Sequence, residues 1–239
     1  MSDTLRIEKT AVAWTFTLNR SEKRNALCAE LVEALIAGVE AAHVQQVPLL
    51  VFRGAGKNLS AGFDFTDYET QSEGDLLLRM VRIETLLQMV ASSPSLTLAL
   101  AHGRNFGAGV DLFAACKLRH CSADATFRMP GLKFGLVLGS RRFRTLVGTA
   151  KAISILGEAR TFGADEAREI GFVLQVSPEN DWPALTQQAA QTATTLEPDV
   201  RVSLYSTLEF NNHDADMAAL VRSAARPGIK DRIAQYLSA

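Results

Sequence analysis

The sequence predicts an α/β fold in which strands and helices alternate before giving way to helices alone. Short apolar runs of strand length alternate with amphipathic segments up to about residue 177. Beyond Asp181 the pattern is helical throughout. No Gly/Ser linker, charge block or exact repeat divides the chain. Such alternation is typical of a sheet with crossover connections.

The first hundred residues predict a hairpin followed by alternating helices and strands. Two β-rich runs flank Lys9 and Thr10, which is typical of a hairpin. Two segments of helical spacing follow, and each precedes an apolar run of strand length. In order, these elements are Leu5–Glu8, Val12–Leu18, Cys28–Ala42, Pro48–Arg53, Glu73–Val90 and Leu96–Ala101.

The remaining elements are predicted from shorter patterns. An apolar stretch indicates a buried helix, brief β-rich runs indicate strands, and Gly171 ends a helix. From residue 182 onward the chain is predicted to be helical, with breaks at Pro198 and Pro227. In order, the elements before residue 177 are helix Gly107–Cys116, strands Lys117–Cys121 and Thr126–Arg128, helices Thr145–Leu156 and Ala164–Ile170, and strand Val173–Val176.

Composition excludes several classes of protein. The 239 residues carry 25 basic and 26 acidic side chains, so no global positive field exists to hold a nucleic acid. Apolar runs fall far below the ~20 residues of a membrane span. Met1–Lys9 contains Asp3 and Glu8 and has no apolar core, so we expect no signal peptide there. Three cysteines, an odd number, favour reduced thiols and a cytoplasmic location.

Common ligand motifs fail on their spacing. Near Gly54 a phosphate loop would need glycine at Val51 and Ser/Thr at Asn58, and a dinucleotide loop would need glycine at Leu59. A nucleophile elbow at Ser60 would need glycine at residue 58. Cys116, His120 and Cys121 are close together in the sequence. We nevertheless expect no metal site, because small soft side chains favour a buried structural role.

Two glycine-rich segments, residues 54–64 and 101–112, remain as candidates for function. Each follows an apolar strand and ends in a small-residue turn that would open a helix, where backbone N–H groups are free. Small residues let a ligand approach the backbone closely. Two such turns facing each other would form an oxyanion hole. Ordinary strand-to-helix connections explain the same residues, and the pattern alone leaves both interpretations open.

These segments resemble the two signatures of the crotonase superfamily, also called the enoyl-CoA hydratase/isomerase family. The resemblance extends over nearly the whole chain and keeps the order and spacing of the family's signatures. The matching stretches are 18–27 (LNRSEKRNAL), 60–64 (SAGFD), 102–109 with its His-Gly and Gly-Ala-Gly, 127–136 with Phe127, Pro130 and Gly135-Leu136, and 146–148 (LVG).

The resemblance implies a fold, a ligand and an assembly. The fold would be a spiral of ββα units over residues 1–195, with a C-terminal helical region at 196–239 used for trimerisation. The assembly would be a homotrimer or a dimer of trimers. The ligand would be an acyl-CoA thioester, with coenzyme A as part of the substrate and no separate cofactor. By motif position, the backbone N–H groups of Ala61 and Ala108 match the family's oxyanion hole.

The resemblance also places the coenzyme A moiety along two stretches, 23–26 and 57–62. Cations there would meet its phosphates, although for each of them a solvated surface charge is the favoured alternative. The residues implied in binding are Lys23, Arg24, Ala26, Lys57, Ala61, Gly62 and Asp64.

The chain departs from the family's hydratases at both catalytic glutamates. Asp111 stands at the first position and Gly131 at the second. Glycine has no side chain to hold a water or accept a proton, whereas general acid–base catalysis needs a group within hydrogen-bond reach. Asp111 is predicted to face the substrate. The alternative is a carboxylate that only complements the dipole of its helix.

The loop after Gly135 is shorter than in the family and brings in Arg141 and Arg142. Because this loop would border the acyl pocket, an arginine there could recognise a substrate carboxylate. A salt-bridged structural cation is the favoured alternative.

These departures favour isomerase- or decarboxylase-type chemistry on a thioester enolate over addition of water. Double-bond isomerisation would need one base, Asp111, and decarboxylation of a malonyl-type thioester would need little acid–base help. The alternative function is a non-catalytic acyl-CoA binder or a structural partner of an active relative, which the loss of the carboxylate at Gly131 favours.

Overall fold

The computed structural model describes residues 4–208 and 212–239 and shows the predicted α/β class. Asp3, cited above, and residues 209–211 of the predicted helical region lie outside the described residues. Strands in the described ranges are β1 (Leu5–Lys9), β2 (Ala13–Leu18), β3 (Leu49–Gly54), β4 (Leu96–Ala101), β5 (Arg104–Phe106), β6 (Leu118–Cys121), β7 (Thr126–Arg128), β8 (Thr161–Gly163) and β9 (Gln175–Val176). Helices there are α1 (Ala29–Val44), α2 (Glu73–Ala91), α3 (Ala108–Ala115), α4 (Ser140–Val147), α5 (Thr149–Glu158), α6 (Ala164–Glu169), α7 (Trp182–Ala193), α8 (Pro198–Leu208), α9 (His213–Ala224) and α10 (Ile229–Ser238).

Two sheets form the framework. The larger has the order β1–β2–β3–β4–β6–β9, with β1 and β2 antiparallel and each later pair parallel. The smaller has the order β5–β7–β8. Parallel neighbours require crossovers, which α1, α2 and α3 supply. The carboxyl ends of β3 and β4 therefore lie side by side, and this brings the two glycine-rich segments together.

Most predicted elements are confirmed, with ends that differ by at most two residues. One helix is wrong, because Gly148 (φ 79°, ψ 161°) divides the segment predicted over 145–156 between α4 and α5. The three-residue strands β5 and β8 were not predicted, although β7, which has the same length, was; a run of three residues is too short for a period of two to decide.

The expected helix opening after the first glycine-rich segment is also wrong. The chain there runs without helix until α2, which begins at Glu73. Ser72 caps α2, since its side chain accepts the Asp75 N–H while the Asp75 carboxylate accepts the Ser72 N–H. Phe63 instead forms an isolated bridge with Leu27.

Five buried phenylalanine rings join the smaller sheet to α3 and α4. Neighbouring ring centroids lie 5.1 to 5.9 Å apart, a spacing that favours tilted and edge-on aromatic contacts. The cluster fixes α3, whose first turn borders the candidate site. Its members are Phe113, Phe127, Phe143, Phe162 and Phe172.

The C-terminal helices return to the core of their own chain. Helices α9 and α10 pack against α2 and the turn at 131–136 in a separate apolar cluster that includes Leu76, Met80, Phe134, Leu220 and Ile233. The boundary predicted between residues 195 and 196 falls in the connection from α7 to α8. Within residues 4–208 and 212–239, none of the helices has both the length and the apolar character needed to cross a bilayer.

Replacement of Phe172 by alanine should destabilise the protein, because it empties the centre of the aromatic cluster. Large-to-small changes of this kind cost about 3–5 kcal/mol. Urea unfolding followed by circular dichroism measures the change. Ile153→Ala, at a side chain 69% exposed on α5, is the control and should change the free energy of unfolding by less than about 0.5 kcal/mol. Equal effects of the two variants would contradict the role of the cluster.

Candidate active site

A cavity of about 300 Å³ lies where the two glycine-rich segments meet α10 and the turn at 131–136. Its walls are largely apolar, and its charged lining residues are Lys23, Arg24, Asp64 and Asp111. A dry apolar pocket with a few polar groups is the usual form of a small-molecule site. The aromatic residues of its walls are Phe63, Phe65, Phe106, Phe134 and Tyr236.

The buried amide of Asn105 holds the two glycine-rich segments together. Its Oδ1 accepts the N–H groups of Leu59 (3.0 Å) and Ser60 (3.3 Å) in the first segment. Its Nδ2 donates to the carbonyls of His102 and Gly103 in the second, both at 3.1 Å. One side chain therefore satisfies backbone groups on both sides of the junction.

Gly62 allows the first segment to lie directly against the start of α3. Its φ of 81° is in the left-handed region that favours glycine. A β-carbon at this position would overlap the carbonyl oxygen of Phe106 and lie 3.1 Å from the backbone nitrogen of Ala108. The sequence-predicted Gly62 thus acts through its backbone and is not among the residues that line the cavity.

Two backbone N–H groups at this junction, those of Phe63 and Ala108, border the cavity and meet no acceptor within the described residues. Leu27 bonds to the carbonyl of Gly62 and the N–H of Asp64, so the Phe63 N–H points away from Leu27. Ala108 is the first residue of α3, where a helix leaves its N–H unpaired. The pair forms a possible two-donor site.

The assignment of Ala61 as a donor is corrected by the structure. Its N–H donates to the carbonyl of Arg24 at 2.9 Å and is not free to bind a ligand. The free donor lies two residues later, at Phe63. Nothing in the residue types distinguishes the two positions, because every residue except proline carries the same backbone N–H.

Asp111 lies in α3 and lines the cavity, yet it is only 2% exposed. Its Oδ1 has no hydrogen-bond partner within the described residues. Burial raises the pKa of Asp111 well above its usual range, Arg142 lowers this pKa, and Glu84 raises it. A carboxyl in this environment can hold a proton at pH values where an exposed aspartate cannot.

Glu84 of α2 and Arg142 of α4 lie behind Asp111, away from the cavity opening. An Arg142 nitrogen is 3.2 Å from Glu84 Oε1, which also accepts the Gln88 amide at 3.0 Å. Burial raises the pKa of Glu84, and the charge of Arg142 lowers it. The side chains of Glu84 and Arg142 are 1% and 12% exposed, so the pair is shielded from solvent.

Gly139, which precedes α4, touches the carboxyl of Asp111. Its φ is 61°, and a β-carbon there would overlap Asp111 Oδ1. A glycine is therefore needed at this position for both its backbone conformation and the space beside Asp111.

The residues predicted to bind coenzyme A separate into two groups. Lys23 and Arg24 are exposed and line the cavity together with the buried Ala26. Lys57 is exposed and does not line it. Both carboxylate oxygens of Asp64 are engaged, one by Arg20 at 2.8 Å and the other by the Thr66 N–H, so this side chain is a structural ion pair.

The three residues predicted near the acyl pocket also divide. Gly131 lines the cavity and has no side chain that could act on a substrate. Arg141 and Arg142 line a different cavity and pair with Asp216 and Glu84, both at 3.2 Å. The expectation that either arginine meets an acyl carboxylate is not supported by this placement, which instead agrees with the salt-bridged alternative.

Two residues that shape the site, Asn105 and Tyr236, were not predicted. An asparagine inside an apolar glycine-rich segment was a signal for Asn105. Tyr236 becomes visible only when the distant helix α10 is brought to the cavity.

Cys116, His120 and Cys121 do not converge. Cys121 follows His120 in β6, and successive residues of a strand point to opposite faces. Within the described part of the chain, no group of three or more His, Cys, Asp or Glu side chains is arranged to hold a metal ion.

Comparison with known proteins relates this site to one family. A family model described as enoyl-CoA hydratase/isomerase matches residues 8–226. A crystal structure from Bordetella parapertussis, named for the same family, superposes with a TM-score of 0.99 at 69% identity and full coverage of both chains. An enoyl-CoA hydratase from Bacillus halodurans, at 19% identity and a TM-score of 0.86, shares the fold over 97% of this chain and 99% of its own.

Characterised relatives carry different activities in their names. Mitochondrial Delta(3,5)-Delta(2,4)-dienoyl-CoA isomerase from Rattus norvegicus is 32% identical over 69% of this chain, which spans 55% of that protein. The 4-chlorobenzoyl coenzyme A dehalogenase-2 from Arthrobacter sp is 28% identical over 97% of this chain and 90% of its own. Similarity at this level therefore relates the chain to a family rather than to one reaction.

Gly139→Ala should destabilise the protein more than Gly228→Ala. Both glycines have left-handed backbones, with φ of 61° and 80°, so alanine costs about 1–2 kcal/mol at either position. Only at Gly139 does the new β-carbon overlap Asp111, since the nearest atom at Gly228 is 3.8 Å away. Crowding of a packed site adds about 1–3 kcal/mol. Chemical unfolding of both variants measures the difference, and equal losses would show that Gly139 is needed for its backbone alone.

Proposed function

We propose, since the chain belongs to the enoyl-CoA hydratase/isomerase family, that it is an enzyme that acts on an acyl-CoA thioester through a stabilised enolate. One observation carries the proposal. The unpaired N–H groups of Phe63 and Ala108 border the same apolar cavity as the buried carboxyl of Asp111. Two fixed donors and one acid–base group are the minimum that enolate chemistry requires.

The two N–H groups would bind the thioester oxygen. As a proton leaves the carbon beside the thioester, negative charge moves onto this oxygen, and donors already in place stabilise it without reorganisation. The support for this role is their fixed position. Asn105 and the contact at Gly62 hold the two segments in register before any ligand binds.

Asp111 would carry the proton between two carbons of the same acyl chain. In a double-bond isomerisation the carboxylate removes a proton from C2, the double bond moves from C3–C4 to C2–C3, and the acid returns the proton to C4. One group suffices for both steps. The raised pKa of Asp111 supports this role, because burial that disfavours the carboxylate makes this side chain a stronger base than an exposed aspartate.

Addition of water and decarboxylation are less well supported. Hydration in this family's pattern uses a second carboxylate, and Gly131 offers none. Decarboxylation of a malonyl-type thioester would place a carboxylate in the cavity. The cavity walls are apolar, and Arg141 and Arg142 are paired elsewhere. We therefore propose an uncharged, apolar acyl group as the substrate.

The rim of the cavity and the remaining surface support three further proposals. Lys23 and Arg24 at the rim would meet the phosphates of coenzyme A. The three free cysteines support a cytoplasmic location. Homotrimer formation is supported by α8, which exposes an apolar face of the kind that marks interfaces. The face consists of Val200, Leu204 and Leu208, which are 40–71% exposed.

A second candidate function is acyl-CoA binding without turnover. The observation that favours it is Gly131, which leaves the cavity with a single acid–base carboxyl. Calorimetric binding of a saturated acyl-CoA together with no turnover of any thioester would establish it.

Asp111→Asn should abolish isomerisation of a 3-enoyl-CoA while preserving the fold. Loss of a general acid–base group lowers kcat by about 10²–10⁴-fold. Absorbance of the conjugated thioester measures turnover of the 3-enoyl-CoA, and hydration of crotonyl-CoA should be far slower in the native protein. Asp67→Asn, at an exposed position, is the control and should keep full activity. Full activity of Asp111→Asn, or rapid hydration of crotonyl-CoA, would contradict the proposed chemistry.

Ala108→Pro should remove one of the two proposed oxyanion donors with little cost to α3. Proline is tolerated at the first position of a helix, because the N–H there has no intrahelical partner. Loss of one such donor lowers kcat by about 10²–10³-fold. Ala108→Gly keeps the N–H and should retain activity within about tenfold. Similar kcat values for the proline and glycine variants would exclude this donor.

A further inference from the structure

Three unpaired buried polar atoms belong to a group of side chains that interact electrostatically beside the cavity. Within the described residues, nine buried side-chain nitrogen or oxygen atoms have no hydrogen-bond partner. Three of the nine belong to one cluster, namely Asp111 Oδ1, Glu84 Oε2 and Arg142 Nη1. Natural proteins satisfy most buried polar groups, so such a concentration requires an explanation.

The cluster contains one positive charge for two carboxyls. Arg142 pairs with Glu84 and lowers the pKa of both Glu84 and Asp111, whereas Glu84 raises the pKa of Asp111. If both carboxyls were ionised, the buried cluster would carry a net negative charge, which burial opposes. Asp216 of α9 also acts on this cluster, because it raises the pKa of Glu84. Asp216 is itself paired with Arg141 of α4.

The three side chains come from three helices whose positions are independently fixed. Glu84 projects from α2 and is held by Gln88, whose amide also donates to the His213 carbonyl at 2.9 Å. Arg142 projects from the first turn of α4, directly after Gly139, which touches Asp111. A shift of either helix would therefore move the charges around Asp111.

We propose that Glu84 and Arg142 are positioning residues that share one guanidinium between two buried carboxyls, so that Glu84 sets the pH at which Asp111 changes from proton donor to proton acceptor. Neither residue lines the cavity that holds Asp111, and both act through charge and orientation. The inference rests on the proposed function in one respect, namely that Asp111 transfers a proton.

A purely structural role for the ion pair is the competing explanation. A buried ion pair often contributes no more stability than apolar residues of the same volume. A merely structural pair would respond to substitution with a change in stability and no directed change in the titration of Asp111. The charge-sharing arrangement predicts shifts of opposite sign for its two members.

Glu84→Gln tests the arrangement with almost no change in shape. Removing the negative charge leaves Arg142 to compensate Asp111 alone, so the Asp111 carboxylate is favoured and its titration midpoint should fall by about one pH unit or more. Arg142→Met should raise the midpoint. The probe is the side-chain ¹³C carboxyl resonance of aspartate in the full chain without ligand, with the Asp111 signal identified by its loss in Asp111→Asn.

Glu33→Gln is the matched control, because it removes a surface carboxylate of α1 that pairs at 2.6 Å with Arg82, which lies on α2 as Glu84 does. It should leave the Asp111 midpoint unchanged. If Arg142→Met does not fold, the sign of the shift in Glu84→Gln decides alone. An unchanged or raised midpoint in Glu84→Gln would overturn the inference.

Turnover separates this inference from the proposed function. In an active enzyme, the rising limb of the pH–rate profile should move to lower pH in Glu84→Gln by the same amount as the midpoint. A lowered midpoint in a protein that turns over no thioester would support the charge sharing and count against the proposed function. A lowered midpoint with an unmoved profile would mean that Asp111 is not the group that limits the rate, and would overturn its link to catalysis.

Discussion

The hydrogen bonds of one buried amide, Asn105, control the geometry on which the site depends. Two parallel strands deliver glycine-rich segments to the same edge of the sheet, and the Asn105 side chain joins the backbones of both. Without this amide, several buried backbone groups would lose their partners, at a cost of about 1–3 kcal/mol each. Asn105 bonds to backbone groups of both segments but not to the N–H groups of Phe63 and Ala108, which remain unpaired at the cavity.

Close contacts at two glycines explain the surroundings of Asp111. Gly62 lets the first segment approach α3, and Gly139 lets α4 approach Asp111, so a buried carboxyl and two donors lie at the wall of one largely apolar cavity. Burial of Asp111 strengthens its electrostatic interactions and raises the energetic cost of its charge. The guanidinium of Arg142, which does not line the cavity, offsets part of this cost. The same few residues therefore determine both the packing and the electrostatics around Asp111.

The sequence predicted the architecture well because strands and long helices leave periodic patterns. It also located the two segments that form the site and the carboxyl at Asp111. It could not choose between Ala61 and Phe63, since the choice depends on which N–H the Arg24 carbonyl occupies. Nor could it place Arg141 and Arg142, whose partners Asp216 and Glu84 lie 75 and 58 residues away along the chain. Long-range ion pairs depend on tertiary packing, which local patterns do not encode.

The central claim is that Phe63 and Ala108 bind one oxygen beside Asp111. A crystal structure of the protein with a saturated, unreactive acyl-CoA tests it most directly. The account predicts the thioester oxygen about 2.7–3.1 Å from both backbone nitrogens, with the acyl chain in the apolar cavity and its second carbon next to the carboxyl of Asp111. A thioester oxygen bound elsewhere, or an acyl chain outside this cavity, would contradict it.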